Sequence, residues 1–385
     1  MPEPVIVALG RSPIGRAMKG SLVNVRPDDL AASVVNQVLD RLPQLDRSTI
    51  EDLICGCGLP GGEQGFNLGR VISILTRVNA PGTTVTRYCA SSLQTTRMAA
   101  HAIRAGEGDV FLSVGVECVS RYMNGSSDMS QCQNERLQPG NPERFPDIYL
   151  AMGQTAENVA EFEKVSRLEM DEFAVRSQEL AVAHQENGFF EREIIPVTLP
   201  DGTVMTKDDG PRAGTTLERL ATLQPVFREG GSITAGNACP LNDGAAAVVV
   251  MSDTRAKELG IKPLARIVSS GVSGLNPEIM GLGPIEACLQ ALKRAHMTID
   301  DIDLVEINEA FAAQVIPSAE HLGITLDKLN IRGGAIALGH PFGMTGARIM
   351  TTLLNSLEDA GARFGLESMC VGGGQGMAMI VERLD

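Results

Sequence analysis

The stretch GGAIALGHPFGMTGAR, residues 333–348, runs from a glycine-rich loop into a helix-like segment and carries His340 within the loop. A histidine held in such a loop can face a ligand. The alternative is that His340 is hydrogen-bonded and has a purely structural role. The other four histidines lie in helix-like, mostly polar contexts, and we predict that they are exposed or half-buried: His101, His184, His296 and His321.

Two further segments supply thiols beside tight turns. Cys89 lies in TRYCASSLQ, residues 86–94, and Cys370 opens CVGGGQGMAMI, residues 370–380. A single cysteine is most often a small buried hydrophobe, so each segment alone is a weak signal. The glycines beside Cys370 strengthen the signal, because they allow backbone N–H groups to come close to an oxyanion.

A third segment, NEAFA, follows an apolar run and places Asn308 at the carboxyl end of a predicted strand, where α/β proteins gather their sites. Together with the histidine loop and the two cysteine segments, its order and spacing resemble the thiolase family, over nearly all 385 residues. That family comprises acetyl-CoA acetyltransferases and 3-oxoacyl-CoA thiolases. The resemblance implies an α/β fold of two duplicated βαβ-type halves, layered α/β/α/β/α, with an inserted loop domain.

The resemblance also implies roles in acyl transfer. Such transfer needs a group that attacks a thioester and leaves again readily, as a cysteine thiolate does. By resemblance, Cys89 is this nucleophile and His340 is the base that activates it. Cys370 would exchange a proton with the α-carbon of an acetyl thioester or with departing coenzyme A. The N–H groups of Cys89 and Gly372 would donate to the acyl-enzyme oxygen. Asn308 would fix a water that helps His340 to polarise the second thioester; otherwise it is a turn residue.

The chain carries a predicted duplication. The helix-like run at 29–42 is followed by a short strand-like run, and the run at 285–297 is followed in the same way. The pattern in each half therefore predicts alternating β and α units, which form a parallel-type sheet covered by helices. Cys89 and His340 precede corresponding helices, so both should reach one site. The nearby helix N-terminus should lower the pKa of the Cys89 thiol.

The predicted division of the chain follows from this duplication. Residues 1–118, completed by 242–263, form the N-terminal half, and residues 264–385 form the C-terminal half. Residues 119–241 form the inserted loop domain, which we expect to bind coenzyme A or close over the site; the alternative is a peripheral addition. Its first part, 120–147, is polar and rich in Gly, Pro, Asn and Ser, which predicts an exposed excursion.

For coenzyme A the resemblance points mainly to the insertion. An arginine is often simply a surface residue, so this part of the resemblance is less specific than the catalytic motifs. The implied contacts are Arg212 near the nucleotide end, Phe227 near the adenine, Ala235 and Cys239 along the pantetheine arm, and Met152 and Phe311 at the acyl end.

Three positions depart from the family pattern. Ser92 stands where a glycine is common, and it could narrow the pocket. Ala151 stands where acetoacetyl-forming members often have histidine, which favours degradative 3-oxoacyl-CoA thiolases. Cys239 and Pro240 replace a common serine and small residue, which puts one hydrogen bond to pantetheine in doubt.

Composition and charge exclude several classes of function. The net charge of −14 argues against nucleic acid or an anionic membrane surface as a general partner. The opening run at 4–15 predicts a first strand rather than a signal peptide, and no apolar run approaches the ~20 residues that span a bilayer.

The eight cysteines are too dispersed for a disulfide framework, which favours the cytoplasm. We predict that Cys55 and Cys57 belong to the core rather than to a metal site. No metal or further cofactor is expected, since coenzyme A thioesters are the substrates. We expect a homodimer or homotetramer.

Three functions remain open from the sequence. The first is an acyl-CoA C-acyltransferase that works by ping-pong transfer through Cys89. The second is a 3-oxoacyl synthase on the same fold, although that chemistry normally uses a cysteine with two histidines or a histidine and an asparagine, and Cys370 takes the third position here. The third is an inactive thiolase-like lipid carrier or scaffold, against which the presence of all four site residues argues.

Overall fold

A mixed β-sheet runs through the whole protein. The structure, a computed structural model, describes residues 2–122, 133–138, 140 and 145–384; Cys132 and much of the predicted excursion lie outside them. The described strands are β1 Pro4–Arg11, β2 Gly15–Arg16, β3 Asp52–Gly56, β4 Gly82–Val85, β5 Val110–Cys118, β6 Val197–Thr198, β7 Val204–Met205, β8 Asn242–Ser252, β9 Ala265–Gly274, β10 Leu304–Ile307, β11 Phe364–Val371 and β12 Gln375–Arg383.

Helices cover both faces of this sheet and also form the insertion. None of those in the described residues is long and apolar enough to cross a membrane. The described helices are α1 Pro27–Asp40, α2 Leu68–Thr76, α3 Ser91–Ala105, α4 Met152–Glu163, α5 Arg167–Glu186, α6 Leu217–Ala221, α7 Asp253–Leu259, α8 Gly283–Ala295, α9 Ala312–Leu322, α10 Ala335–Leu338 and α11 Thr345–Ala360.

Strand order reveals the duplication. The order β3-β5-β8-β1 in one half matches β10-β11-β12-β9 in the other, with one parallel pair followed by two antiparallel pairs in each. The halves join where β1 pairs with β9, through Val5 with Arg266 and Ile6 with Ala265. The N-terminal half adds β4 at its edge, and the C-terminal half has a single parallel bridge there, between Val305 and Leu329.

The expectation of a parallel-type sheet is wrong for most pairs, because each half is mixed. Strands β11 and β12 form an antiparallel hairpin, and the chain reverses through Gly373 and Gly374, with φ of 76° and 79°. Glycine adopts this left-handed backbone without steric cost, so the turn follows from the GGG sequence itself. In the N-terminal half, the chain leaves β5 for the insertion and returns as β8, antiparallel to β5.

Side chains that alternate across the strands separate three apolar layers. In β8, Val249 packs in the core beneath α1 and α2, whereas Val248 packs in the core around α3 and α11. In β12, Met379 faces α3 and α11, whereas Ile380 packs in the core beneath α8 and α9. Both halves therefore cover the same central helices, which confirms the layered thiolase-like arrangement.

The described part of the insertion is anchored to the sheet by a buried ion-pair group. Arg11 on β1 donates to Glu193 at 2.7 Å and to Asp208 at 2.8 Å, and all three side chains are buried. Buried charges are stable only when they are paired and hydrogen-bonded, so this group ties the insertion to the first strand. The domain boundaries remain a prediction.

Candidate active site

Two site residues lie at the carboxyl ends of the parallel strands β10 and β11. Asn308 comes directly after β10, and its backbone N–H donates to the Ser368 carbonyl of β11 at 2.9 Å. Cys370 lies near the end of β11 and is fully buried. Because the carboxyl ends of parallel strands meet at one edge, both residues lie at the edge of the sheet from which the Gly-rich turn begins.

Cys89 lies in a 3₁₀ turn, Tyr88–Ala90, directly ahead of α3. Tyr88 has a positive φ of 44°, which re-aims the chain just before the cysteine. Ser91 stabilises the turn, because its hydroxyl donates to the Tyr88 carbonyl at 2.7 Å and accepts from the Arg87 N–H at 2.9 Å. Cys89 is 7% exposed and is close enough to Cys370 and Cys239 for their charges to interact.

Two backbone N–H groups point at the Cys89 sulfur. They belong to Cys89 itself and to Gly372, and both lower the pKa of the thiol. Burial acts in the opposite direction and outweighs them, so the pKa of Cys89 is raised to about 12. The expectation of a lowered thiol pKa is therefore wrong for the free protein, because desolvation destabilises the thiolate more than the two N–H groups stabilise it. The sulfur carries its proton at neutral pH and needs a base to remove it.

Gly372 is held in place from the other half of the fold. Gln375 donates to the Gly372 carbonyl at 3.2 Å, and Arg87 donates to the Gln375 side-chain oxygen at 3.0 Å. A Cβ added at Gly372 would lie 3.3 Å from the Tyr88 ring and 3.8 Å from the Met152 sulfur. Tyr88 and Met152 therefore line the space directly in front of the turn.

His340 has a defined tautomer. Its Nδ1 lies 2.6 Å from the Thr345 hydroxyl, and that hydroxyl donates its proton to the Pro341 carbonyl at 2.8 Å. The hydroxyl can therefore only accept from Nδ1, which places the imidazole proton on Nδ1 and leaves Nε2 as an acceptor. Asn242 accepts from the His340 backbone N–H at 2.9 Å.

The acceptor Nε2 faces Asn308. The side-chain amide nitrogen of Asn308 lies 3.3 Å from Nε2. The side chain of Gln314 donates to the backbone carbonyl of Asn308 at 2.6 Å. The side-chain oxygen of Asn308 is buried and has no hydrogen-bond partner among the residues that the structure describes. An acceptor left in this way is satisfied by a water or by a substrate.

Burial also determines the charge of His340. The ring is 1% exposed, and burial together with the nearby Arg348 guanidinium lowers its pKa to about 3. The imidazole is thus neutral and able to accept a proton. All five histidines lie in the described residues, and the other four are exposed or half-buried, as predicted.

This charge state predicts the pH dependence of activity. Because the pKa of His340 in the free protein is about 3, the base loses activity only when pH falls towards that value. We expect kcat/KM for a 3-oxoacyl thioester to show no acid limb near pH 6.5, where an ordinary histidine titrates. A pH series from 5 to 8 in constant ionic strength measures it. An inflection near 6.5 that disappears in His340→Asn would contradict the buried neutral imidazole.

The tautomer yields a second prediction. Thr345→Val removes the acceptor for Nδ1–H while keeping side-chain volume, so we expect kcat to fall about 10- to 100-fold with little change in KM. Thr345→Ser keeps the hydroxyl and is the matched control. Equal losses in both variants would show that packing of the methyl group, rather than the hydrogen bond, is responsible.

Sequence reasoning missed Glu117, which joins the loops of the two halves. Its carboxylate accepts from the Gly58 N–H at 2.7 Å, the Gly343 N–H at 2.8 Å and the Gln64 amide at 2.7 Å. Gly343 belongs to the His340 loop, so Glu117 holds that loop against the turn beyond β3. The sequence did contain a signal for this residue, since Glu117 is a carboxylate at the end of the apolar run DVFLSVGVE. Acids are rarely buried without partners, so an acid in such a strand indicates hydrogen bonds to other segments.

The position of Ser92 corrects another expectation. Its hydroxyl accepts from the Ala347 N–H at 2.9 Å, and the side chain lies against Gly115. Ser92 is fully buried and links α3 to α11. It therefore holds the central helices together and does not narrow the pocket. Cys55 and Cys57 are buried as predicted, and no group suited to a metal ion occurs among the described residues.

A cavity of about 320 Å³ lies against the insertion, and four of the six predicted coenzyme A contacts line it. The other two flank it: the Phe311 ring packs edge-on against Phe227 with centroids 6.1 Å apart, and Met152 begins the helix whose Gly153 touches Phe227. Arg16 also lines this cavity and was missed by sequence reasoning. The four predicted residues in the lining are Arg212, Phe227, Ala235 and Cys239.

Comparison with known proteins agrees with this geometry. The family model described as "Thiolase, N-terminal domain" matches residues 4–254, and "Thiolase, C-terminal domain" matches residues 261–383. A beta-ketoadipyl-CoA thiolase of Acinetobacter baylyi is 42% identical, and a 3-ketoacyl-CoA thiolase of Serratia proteamaculans is 44% identical, each over 100% of both chains.

A solved structure is similar over its whole length. The acetyl-CoA acetyltransferase of Bacillus anthracis superposes with a TM-score of 0.91 at 38% identity, over 100% of this chain and 99% of that one. The two family models together cover most of the chain, and the relatives match over their full length, so the family of this chain is established. The chain belongs to the thiolase family of acyltransferases.

Proposed function

We propose that this thiolase cleaves and forms 3-oxoacyl-CoA by ping-pong transfer through Cys89, with coenzyme A thioesters as substrates and no further cofactor. In thiolysis, His340 takes the Cys89 proton while the sulfur attacks the C3 carbonyl. The bond between C2 and C3 breaks, the acyl group stays on Cys89, and C2 takes a proton from Cys370 as acetyl-CoA leaves.

The second half of the cycle restores the protein. Coenzyme A attacks the acyl-enzyme, its thiol proton passes to the Cys370 thiolate, and His340 returns its proton to the Cys89 sulfur. The N–H groups of Cys89 and Gly372 stabilise the negative charge on the acyl oxygen in both halves. Asn308 holds the water that, with His340, faces the second thioester.

One observation carries this proposal. The two N–H groups that point at the Cys89 sulfur belong to the nucleophile itself and to the turn that follows Cys370. Donors arranged before substrate arrives stabilise charge without reorganisation, which is typically the largest catalytic contribution in acyl transfer. The neutral, Nδ1-protonated His340 supplies the base that a thiol of raised pKa requires.

An assay with coenzyme A and a 3-oxoacyl-CoA, in which thiolysis consumes free thiol, separates the three functions that the sequence leaves open. Acetyl-CoA formation from coenzyme A and a 3-oxoacyl-CoA supports the thiolase proposal. Decarboxylative condensation of a malonyl thioester on a carrier protein, without thiolysis, would instead identify a synthase. Binding of acyl-CoA without either reaction would identify a carrier or scaffold.

Ala151 predicts the range of acyl groups. It is the N-cap residue of α4, directly before Met152, and its side chain makes no capping hydrogen bond. A small residue leaves volume at the acyl end, and each additional buried methylene contributes about 0.8 kcal/mol. We therefore expect two or three methylenes to raise kcat/KM by about one to two orders of magnitude over acetoacetyl-CoA.

The measurement is thiolysis across a chain-length series that includes beta-ketoadipyl-CoA, the substrate named for one relative. Ala151→His should move the optimum towards acetoacetyl-CoA. A sharp optimum at acetoacetyl-CoA in the wild type would show that pocket volume is determined elsewhere. A preference for longer chains would support a part in fatty acid metabolism.

We also propose a homodimer or homotetramer in the cytoplasm. Strand β4 ends the strand order, and near it Phe66, Ile74 and Leu75 are 98%, 60% and 43% exposed. Apolar side chains beside an open strand edge are typical of a surface that another chain covers. The seven described cysteines are free thiols, which suits a reducing compartment. Sedimentation velocity tests the assembly, and a monomer at micromolar concentration would exclude it.

A further inference from the structure

Three buried charged side chains lie behind the active site and have no part in the proposed reaction. Glu306 on β10, Glu367 on β11 and Arg348 on α11 are each at most 2% exposed. Each stands two or three residues along the chain from a side chain that the site uses, in the order Asn308, Cys370 and Thr345. A change in the charge of this group therefore acts on the elements that position the site.

The two carboxyl groups share one face of the sheet. Glu306 pairs with Glu367 in the parallel register of β10 and β11, and neighbouring strands lie about 4.8 Å apart. Met369, two residues beyond Glu367, packs in the core around α3 and α11, so alternation directs Glu367 towards the same core. Like charges directly opposite each other destabilise a sheet, and burial removes the solvent that would screen them. Two ionised carboxylates at these positions would therefore repel each other strongly.

Several polar atoms of this group lack partners. Among the residues that the structure describes, both carboxyl oxygens of Glu367 and the Nε and Nη1 atoms of Arg348 are buried without a hydrogen bond. Atoms left in this way are satisfied by ordered water. Burial without partners destabilises an ionised carboxylate far more than a neutral carboxyl group, so this arrangement favours a proton on the acid.

The surrounding charges do not remove the repulsion. Burial raises the pKa of both carboxyl groups, the charge of Arg348 lowers both by less, and the charge of Glu306 raises the pKa of Glu367 further. Acids also outnumber cations among the charged side chains that face this group directly or through Arg11, which are Glu193, Asp208, Glu309, Arg11 and Arg176. The neighbourhood therefore supplies no positive charge that would allow both carboxyl groups to ionise.

We propose that Glu306 and Glu367 hold one proton between them at neutral pH, and that this proton keeps β10 and β11 together behind the site. With one carboxyl group neutral, the other balances the Arg348 guanidinium, and the group has no net charge. Loss of the proton leaves two carboxylates opposite each other, so the strands move apart and the side chains beyond them lose their alignment. Both glutamates are positioning residues that act at the alkaline end of the pH range.

The pH dependence of stability tests the proton without any substrate. An unfolded glutamate titrates near about pH 4.3, so above that pH the folded protein holds one proton more than the unfolded chain. Because the folded pKa is raised, this stabilisation is complete below the unfolded value and is lost as pH rises towards the folded value. We expect the wild-type folding constant, relative to that of Glu367→Gln, to fall about tenfold per pH unit in urea unfolding between about pH 5.5 and 7.5.

Infrared spectra give a second readout of the same proton. The difference between wild type and Glu367→Gln at neutral pH should contain the C=O stretch of a neutral carboxyl group, and so should the difference between wild type and Glu306→Gln. The double variant leaves Arg348 without a carboxylate, so its melting temperature should fall by more than the two single changes together. Glu107→Gln, which removes an exposed acid after α3, is the control and should change none of these readouts.

The pH profile of kcat for thiolysis tests the positioning role, and this link to activity rests on the proposed function. Wild-type kcat should fall at alkaline pH as the pair loses its proton. Glu306→Gln and Glu367→Gln cannot ionise at the substituted position, so their fall should lie at higher pH with KM unchanged. One pH unit above the wild-type inflection, each variant should retain about tenfold more of its neutral-pH kcat than the wild type retains.

Two results would overturn the proposal. Equal stability slopes in the wild type and both single variants, with no carboxyl band in the difference spectra, would show that the pair holds no proton. The same alkaline inflection in all three proteins would show that the pair does not position the site. Two separate glutamine variants are made so that one remains informative if the other fails to fold. A protein that shows the stability slope and the infrared band but lacks thiolysis would refute the proposed function and leave the shared proton standing.

Discussion

Cys89→Ser should abolish turnover, with kcat reduced on the order of 10⁴-fold or more, while the fold remains intact. A hydroxyl has a far higher pKa than a thiol and is a much poorer leaving group in the deacylation step. The substitution is nearly isosteric at a site that is 7% exposed, so the surrounding turn should persist. Intact-protein mass spectrometry should find one acyl group on the wild type, and peptide mapping should place it on Cys89.

The matched control is Cys288→Ser, because Cys288 is a fully buried thiol on α8 that already bonds Ser368. It should keep near-wild-type turnover. An acyl adduct on Cys370, or full activity of the serine variant at 89, would remove Cys89 from its proposed role. Loss of activity in both variants with lowered melting temperature would instead show that any thiol-to-hydroxyl change in this core unfolds the protein.

Cys370→Ala should separate the two halves of the reaction. Transfer of an acetyl group from acetyl-CoA to Cys89 needs no proton from the α-carbon and only loses the proton that Cys370 returns to departing coenzyme A, so acyl-enzyme formation should be spared more than carbon–carbon bond formation. Carbon–carbon bond formation needs that proton removed, and we expect it to slow by about 10²- to 10⁴-fold. Cys370 is fully buried and lies near Cys89, and burial raises its pKa well above the usual value. A thiolate of raised pKa is a strong base. It therefore takes a proton from the α-carbon readily, and the thiol can return that proton to a carbanion.

Exchange of acetyl-CoA α-protons with deuterated water measures this step directly. The wild type should incorporate deuterium and the variant should not, while both still form an acyl adduct on Cys89 that mass spectrometry detects. Unchanged exchange in Cys370→Ala would mean that another base, with His340 the first to consider, removes the proton.

Motif order was enough to predict the family and the activity class, and the comparisons confirm both. It was not enough for the sheet, because the expected parallel pairing ignores that the chain leaves β5 for the insertion and returns as an antiparallel β8. It was not enough for Ser92 either. A family glycine replaced by serine suggested a smaller pocket, whereas the hydroxyl accepts a hydrogen bond from Ala347, a residue 255 positions away. The catalytic assignments themselves remain predictions that the variants above test.

Residues near one another in sequence determined the turns and helix ends. The GGG run alone accounts for the reversal at Gly373 and Gly374, and Ser166 with Glu169, three residues later, forms the capping box that begins α5. These features depend on backbone freedom and on hydrogen bonds that span at most four residues.

Only the tertiary structure decided the protonation states and the supports of the site. Burial raises the pKa of Cys89 and lowers that of His340, and burial is the sum of contacts from every layer of the fold. The bond from Arg87 to Gln375 spans 288 positions, and that from Gly343 to Glu117 spans 226. Desolvation and long-range hydrogen bonds arise from packing, so a motif can name a nucleophile and a base but cannot reveal which of them carries the proton.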